Sequence, residues 1–275
     1  MSAGLLAALV AAGAAGGFLA GLVGVGGGVI FGPVLFVAFQ SVGIADPVLT
    51  PLTLGSSLLC TWAASLSGAV AQRRADSVDV RSALGTGIAA AGAVLAMTLL
   101  VTTQPCYSRR VFQVVLGVAL VLAVVRMLTQ RRSSEARRSV ETARRAPGFL
   151  VLTGLGAGTL SAAAGIGGGV VLVPAFNALV RLPLKVAAGT STAAIVLITT
   201  VGVAVYLARG LGAGVPPGAV GYVHVPYALA LALPAVVTAR LGVKAAHRID
   251  VRWVRLSFAA FAAVVAARLL WTAFA

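Results

Sequence analysis

Long apolar runs separated by short polar or basic segments fill the chain, and two of the runs are interrupted by glycine. The first, Gly4 to Leu22, leads into Gly24-Val-Gly-Gly-Gly28, and Phe149 to Ala164 leads into Gly165-Ile-Gly-Gly-Gly169. A proline follows five residues after each last glycine, at Pro33 and Pro174, and a shorter apolar run leads out, Val29 to Phe39 and Val170 to Val180. Each glycine costs about 1 kcal/mol in a helix interior, so three in succession break the helix deliberately. Val29–Phe39 makes about 16 Å of helix, too short to cross roughly 30 Å of hydrocarbon. Full-length spans are predicted at Thr50–Ala71, Ser82–Thr103 and Val111–Leu128. A cationic segment, Gln130 to Ala146, separates these from spans at Val186–Leu207, Ala219–Ala239 and Trp253–Phe274.

The two halves match beyond the glycines. Gly55-Ser-Ser57 pairs with Gly189-Thr-Ser191 and Gly68 with Gly202, both 134 residues apart, while Arg110 and Arg126 pair with Arg252 and Arg268, 142 apart. Landmarks in one order across both halves mark an internal repeat. The predicted organisation is a first membrane repeat over residues 1–128, a basic cytoplasmic linker over 129–147 and a second repeat over 148–275. If each broken segment is a re-entrant hairpin returning to its own side, each half crosses three times and the halves are inverted. That topology puts 17 of the 21 cations on one side, against a split of 12 and 9 if each broken segment crosses once. The positive-inside rule favours the hairpins and puts the linker in the cytoplasm. The expected fold is therefore an all-α polytopic membrane protein of two inverted repeats, each a glycine-broken re-entrant helical hairpin plus three transmembrane helices.

Composition narrows the class further. Of 275 residues 60% are hydrophobic and only 10% charged, with a mean hydropathy of +1.04, whereas a soluble domain is about 25% charged. The net charge of +15 sits in loops between apolar runs, so it fits anionic lipid headgroups and topology, not nucleic acid. Glu135 and Glu141 are interspersed in the central arginine run, which reads as a linker touching lipid or as a partner-binding surface. Met1 to Leu22 lacks a positive leading region and reads as a retained membrane segment of a multi-pass plasma (inner) membrane protein. Gly13, Gly17 and Gly21, spaced by four, line one helix face for close backbone approach. Such faces pack within a chain or between copies, which leaves a homo-oligomer open.

The acidic residues Asp46, Asp76, Asp79, Glu135, Glu141 and Asp250 all fall in loops or at span ends. That leaves no buried acid pair for hydrolysis and no intramembrane carboxylate for a cation or a proton relay. Cys60 lies in an apolar run and Cys106 in a loop, a spacing that makes neither a disulfide framework nor a metal site. No enzyme activity, metal or cofactor is expected. The interior offers neutral donors instead. At each break, Gly26, Gly27 and Gly28 or Gly167, Gly168 and Gly169 leave backbone N–H groups unpaired, and the helix that starts there carries about half a positive charge at its N-terminus. Ser56, Ser57, Thr190 and Ser191 add hydroxyls, so the breaks read as an anion cradle. The competing interpretation is that the glycines serve packing and the hydroxyls bond to their own helices. His224, near the start of a predicted span, is a candidate proton carrier or a satisfied polar group, and Arg268 in the last span could pair with an anion but reads better as snorkelling outward.

At these residues the sequence resembles the TauE/SafE family, the sulfite-exporter-like or toluene-sulfonate-uptake permeases. The matching features are Gly26-Gly-Gly28 with Pro33, Gly167-Gly-Gly169 with Pro174, Leu182-Pro-Leu-Lys-Val-Ala-Ala-Gly-Thr-Ser191 and Arg240-Leu-Gly242 before a basic loop. The resemblance covers essentially the whole chain. It implies a secondary carrier of small sulfur-containing oxyanions such as sulfite, sulfonates or sulfoacetate, coupled to the proton gradient and working by alternating access. The first half departs from the second by a longer connection, 22 residues from Pro33 to Gly55 against 15 from Pro174 to Gly189. The alternatives are an anion channel using the same donors and a non-transporting membrane scaffold.

Overall fold

A computed structural model describes residues 2–102, 107–129, 147–212 and 214–248, with positions 263, 264, 266, 267, 269–271 and 273. The chain runs through α1 (Ala3–Val23), α2 (Gly28–Ser41), α3 (Asp46–Arg74), α4 (Val80–Met97), a π-turn (Thr98–Thr102) and α5 (Arg109–Thr129). After the linker come α6 (Pro147–Ala164), α7 (Gly169–Ala178), α8 (Leu184–Arg209), a β1–β2 hairpin (Ala219–Val220, Val223–His224) and α9 (Val225–Arg248). The linker Gln130–Ala146 with Glu135 and Glu141, and also Cys106, Asp250, Arg252 and Arg268, lie outside the described residues, and the predicted span Trp253–Phe274 is described only in part.

Local chemistry sets the ends. Ser2 caps α1 by accepting from the Leu5 N–H at 3.3 Å. Asp46 and Pro47 open α3 and Arg73 and Arg74 close it, each on the side that the helix dipole favours. Five stretches are long and apolar enough to cross a membrane: Ala3–Val23, Asp46–Arg74, Val80–Thr102, Leu184–Arg209 and Val225–Ala246. Their outward faces carry bare aliphatic side chains such as Ile88, Leu100, Leu233 and Val237, which suit lipid and not water. The chain is thus a multi-pass, all-α membrane protein.

The predicted span Ala219–Ala239 is corrected. Pro216-Pro217-Gly218 cannot continue a helix, residues 219–224 pair as a short antiparallel hairpin, and the span itself begins at Val225 with Pro226 in its first turn. The longer connection of the first half is absorbed mainly by helix. α2 has 14 residues against 10 in α7, and α3 starts nine residues before Gly55, where α8 starts five before Gly189.

The helices run in two directions. Gly13, Gly17 and Gly21 of α1 meet Leu231, Ala235 and Ala239 of α9 in ascending order, so α1 and α9 are parallel. Cys60 and Ser67 donate to the carbonyls of Ala228 and Val236, which makes α3 parallel to both. Gly154 and Gly158 of α6 meet Thr86 and Ala90 of α4, and α4 in turn runs beside α8 in ascending order, Gly87 on Leu197 and Val94 on Gly202. α3 crosses α8 in the opposite sense, with Leu58 at Gly202 and Thr192 at Gly68. Helices α1, α3 and α9 therefore point one way, and α4, α6 and α8 the other.

Candidate functional site

Each break is made of backbone that only glycine adopts without strain. The φ angles are +77°, +85° and +76° at Gly24, Gly26 and Gly27, and +68°, +77° and +79° at Gly165, Gly167 and Gly168. A side chain in that region costs about 1–2 kcal/mol per residue. Gly27 and Gly168 then become the N-caps of α2 and α7, and having no side chain they cap nothing. The first N–H groups of a helix lack acceptors within it, so both N-termini present bare donors and a partial positive charge.

The two breaks meet. A Cβ placed on Gly28 would stand 2.6 Å from the Ile166 Cα, and one on Gly169 would stand 2.6 Å from the Val25 Cα. The side chains of Thr61 and Ile195 lie beside both, within 3.2 Å of where a Cβ on Gly26 or Gly167 would be. The predicted glycines Gly26, Gly27, Gly28, Gly167, Gly168 and Gly169 thus come together at one place, against the middle of the long helices α3 and α8. Two helix N-termini are aimed at that place from different halves of the chain.

The four predicted hydroxyls are already engaged, and two of them, Ser57 and Ser191, reach the breaks. Ser57 Oγ donates to the Gly165 carbonyl at 2.8 Å and Ser191 Oγ donates to the Gly24 carbonyl at 2.9 Å. Each half therefore grips the break of the other. Thr190 Oγ1 accepts the Asp79 N–H and Ser56 Oγ accepts the His224 N–H, both at 2.9 Å, which ties the α3–α4 loop and the β-hairpin to α8 and α3. A break strands carbonyls as well as N–H groups, and Ser57 and Ser191 turn their protons to those carbonyls instead of towards a ligand.

His224 stands apart from the glycines, one link away through Ser56. Its ring is buried, with centroids 5.6 Å from Phe39 and 4.6 Å from Tyr227, and its Nδ1 has no partner among the described residues. Burial pushes its pKa below the usual histidine range, opposed by a backbone hydrogen bond. Among the described residues, Asp46 opens α3 and Asp76 and Asp79 sit in the loop after it, so no carboxylate approaches the breaks. No group of three His, Cys, Asp or Glu side chains among those residues is placed to hold a metal. The junction offers neutral hydrogen-bond donors and helix dipoles, a chemistry that suits an anion. Sequence patterns did not single out Thr61 and Ser65, buried hydroxyls that lie against the break glycines. Their one signal was a spacing of four on α3, continuing from Ser57.

Spanning helices around a doubly broken interior, with no carboxylate at the breaks among the described residues, define the class of multi-pass transmembrane transporters. The family model described as "Sulfite exporter TauE/SafE" matches residues 9–269, and the chain belongs to that family. Among relatives, a "Probable membrane transporter protein" of Haemophilus influenzae is 28% identical over 257 residues, covering 92% of this chain and 94% of the relative. A protein of the same description from Methanocaldococcus jannaschii is 26% identical over 264 residues, covering 95% and 94%. No solved structure matches significantly.

Proposed function

We propose that the chain is a plasma-membrane secondary carrier of small sulfur-containing oxyanions, such as sulfite, sulfonates or sulfoacetate, coupled to the proton gradient. The observation that carries this reading is the convergence of two uncapped helix N-termini, those of α2 and α7, on one buried spot with no neutralising carboxylate among the described residues. Two partial positive charges brought together repel each other, and an anion between them would turn that repulsion into attraction. The backbone N–H groups of Gly26, Gly27, Gly28, Gly167, Gly168 and Gly169 would form the cradle. Ser57 and Ser191 would hold its two sides in register, and Ser56 and Thr190 would brace α3 and α8 behind it through the β-hairpin and the α3–α4 loop.

The architecture we propose is a pair of inverted repeats, each a re-entrant hairpin followed by three spans. What supports it is the run of the helices: α1, α3 and α9 point opposite to their counterparts α6, α8 and α4. Because α1 and α3 are parallel, α2 would return towards the side from which α1 came, and α7 would do the same after α6. The cradle would then lie near the bilayer midplane, and alternating access would come from one repeat rocking on the other. The crossed Ser57 and Ser191 bonds are the contacts that such rocking would exchange.

Purified protein in proteoliposomes, offered sulfite, sulfoacetate, taurine, sulfate and phosphate, should take up a sulfur oxyanion saturably and faster under an imposed pH gradient. Flux that never saturates and ignores the gradient would indicate a channel, and no flux for any anion would leave a scaffold. His224 is the proton carrier in this reading. His224→Gln should retain anion exchange across the vesicle while losing acceleration by the gradient.

A further inference from the structure

Threonine and serine in an apolar helix ordinarily return their hydroxyl hydrogen bond to a carbonyl one turn back. Several hydroxyls of this chain follow the habit. Thr53 bonds to Leu49, Thr192 to Ala188, Thr199 to Ile195 and Thr200 to Val196, all at 2.7–2.8 Å. Thr50, Thr86 and Ser161 do not, and neither do Thr61 and Ser65 on α3, which alone of these lie against the first break. Both residues have no exposed surface, and Thr61 Oγ1 and Ser65 Oγ have no hydrogen-bond partner among the described residues. A buried hydroxyl left unpaired is costly, so native structures rarely keep one without a reason.

Their position supplies the reason. Thr61 Oγ1 lies 2.7 Å from where a Cβ on Gly28 would be, at the first residue of α2, and Ser65 Oγ lies 3.2 Å from the same point on Gly26. Both orphan hydroxyls are thus aimed at the first break, one helical turn apart on one face. The corresponding positions on α8, 134 residues later, are Ile195 and Thr199. Ile195 offers only methyl groups to Gly26 and Gly167, and Thr199 has given its proton to the Ile195 carbonyl. The junction between the breaks is therefore polar on its α3 wall and apolar on its α8 wall.

We propose that Thr61 and Ser65 are the side-chain donors that bind the transported anion, and that the site is one-sided. The oxygens of the anion face α3 and its least polar face lies against Ile195. This rests on the reading of the breaks as an anion cradle and adds the residues that orient the ligand within it. A singly substituted oxyanion suits such a site better than one with oxygens on every side, because one of its faces needs no donor.

Binding of methanesulfonate and of sulfate to the purified full-length chain, followed by calorimetry, tests the assignment. Thr61→Val and Ser65→Ala should each weaken methanesulfonate binding about tenfold or more, the usual consequence of losing a hydrogen bond to a charged group. Thr61→Ser, which keeps the hydroxyl, should bind within about threefold of the parent chain. Ile195→Thr should shift the preference towards sulfate. The ligand-free Thr61→Val variant should unfold at a temperature no lower than the parent, since it loses an unpaired hydroxyl and not a bond. If Thr61→Val and Ser65→Ala bind like the parent while Gly168→Val does not bind, the cradle stands and the assignment of the hydroxyls falls. Normal binding by Gly168→Val, or binding of neither anion by the parent, would overturn the cradle and this proposal with it.

Discussion

Gly168→Val should reduce anion uptake by about a hundredfold or more while the protein still inserts and purifies as a folded chain. Two independent geometric facts lead there. Gly168 sits at φ +79°, a conformation that a β-branched residue enters only under strain. Its Cβ would also stand 2.7 Å from the Ala157 carbonyl, so the backbone must shift whichever rotamer the side chain takes. The residue is the N-cap of α7, and moving it re-aims the N–H groups of the first turn away from the junction. A donor displaced by about 1 Å can cost two orders of magnitude at a site that depends on aim. Gly156→Val is the control, because a Cβ there meets nothing within 4 Å. Uptake into proteoliposomes, compared with the yield of folded protein from membranes, separates the two variants. Equal uptake by both would remove the cradle.

What the sequence revealed, and what it concealed, follows from the range of each interaction. The breaks were legible because positive φ is a local demand that glycine alone meets readily, and the chain makes it twice with the same spacing to proline. The seam of Gly13, Gly17 and Gly21 was legible from its spacing, although its partner on α9 was not. The start of α9 was misplaced because hydropathy continues smoothly across Ala219–Val225, and only backbone pairing distinguishes the hairpin from a helix. The hydroxyls were found but their partners were not. The Ser57 bond to Gly165 spans 108 residues and the Ser191 bond to Gly24 spans 167, so nothing nearby in the chain announces them. Thr61 and Ser65 were missed for a related reason, since a helical hydroxyl is silent until the structure shows that it has not bonded to its own helix. Each half completes the other at this junction, which is why neither half read alone specifies the site.

Gly21→Leu should destabilise the folded protein by about 3 kcal/mol, near the top of the range for overpacking. The Cβ of any side chain at Gly21 would fall on the Ala239 carbonyl and lie 2.9 Å from the Val243 nitrogen. Both are main-chain atoms within α9, so no rotamer change relieves the clash and the two helices must part. The seam cannot yield locally, because Gly17 is pressed against Ala235 and Gly242 against the Phe18 carbonyl in the same manner. Small residues along such a face are what let two membrane helices approach closely enough for dispersion forces to hold them, there being no hydrophobic drive within lipid. The damage should extend to transport. Gly24, whose carbonyl Ser191 holds, follows Gly21 by less than one helical turn, so parting α1 from α9 pulls the first break away from α8. Gly4→Leu adds the same side chain to the same helix where a Cβ meets nothing within 4 Å, and it should unfold like the parent. Unfolding of the purified variants in a denaturing detergent series measures the difference. If the Gly21 and Gly4 variants unfold alike, the seam does not hold α1 in place, and the position of the first break must be set by the Ser191 bond and the contacts of α3 alone.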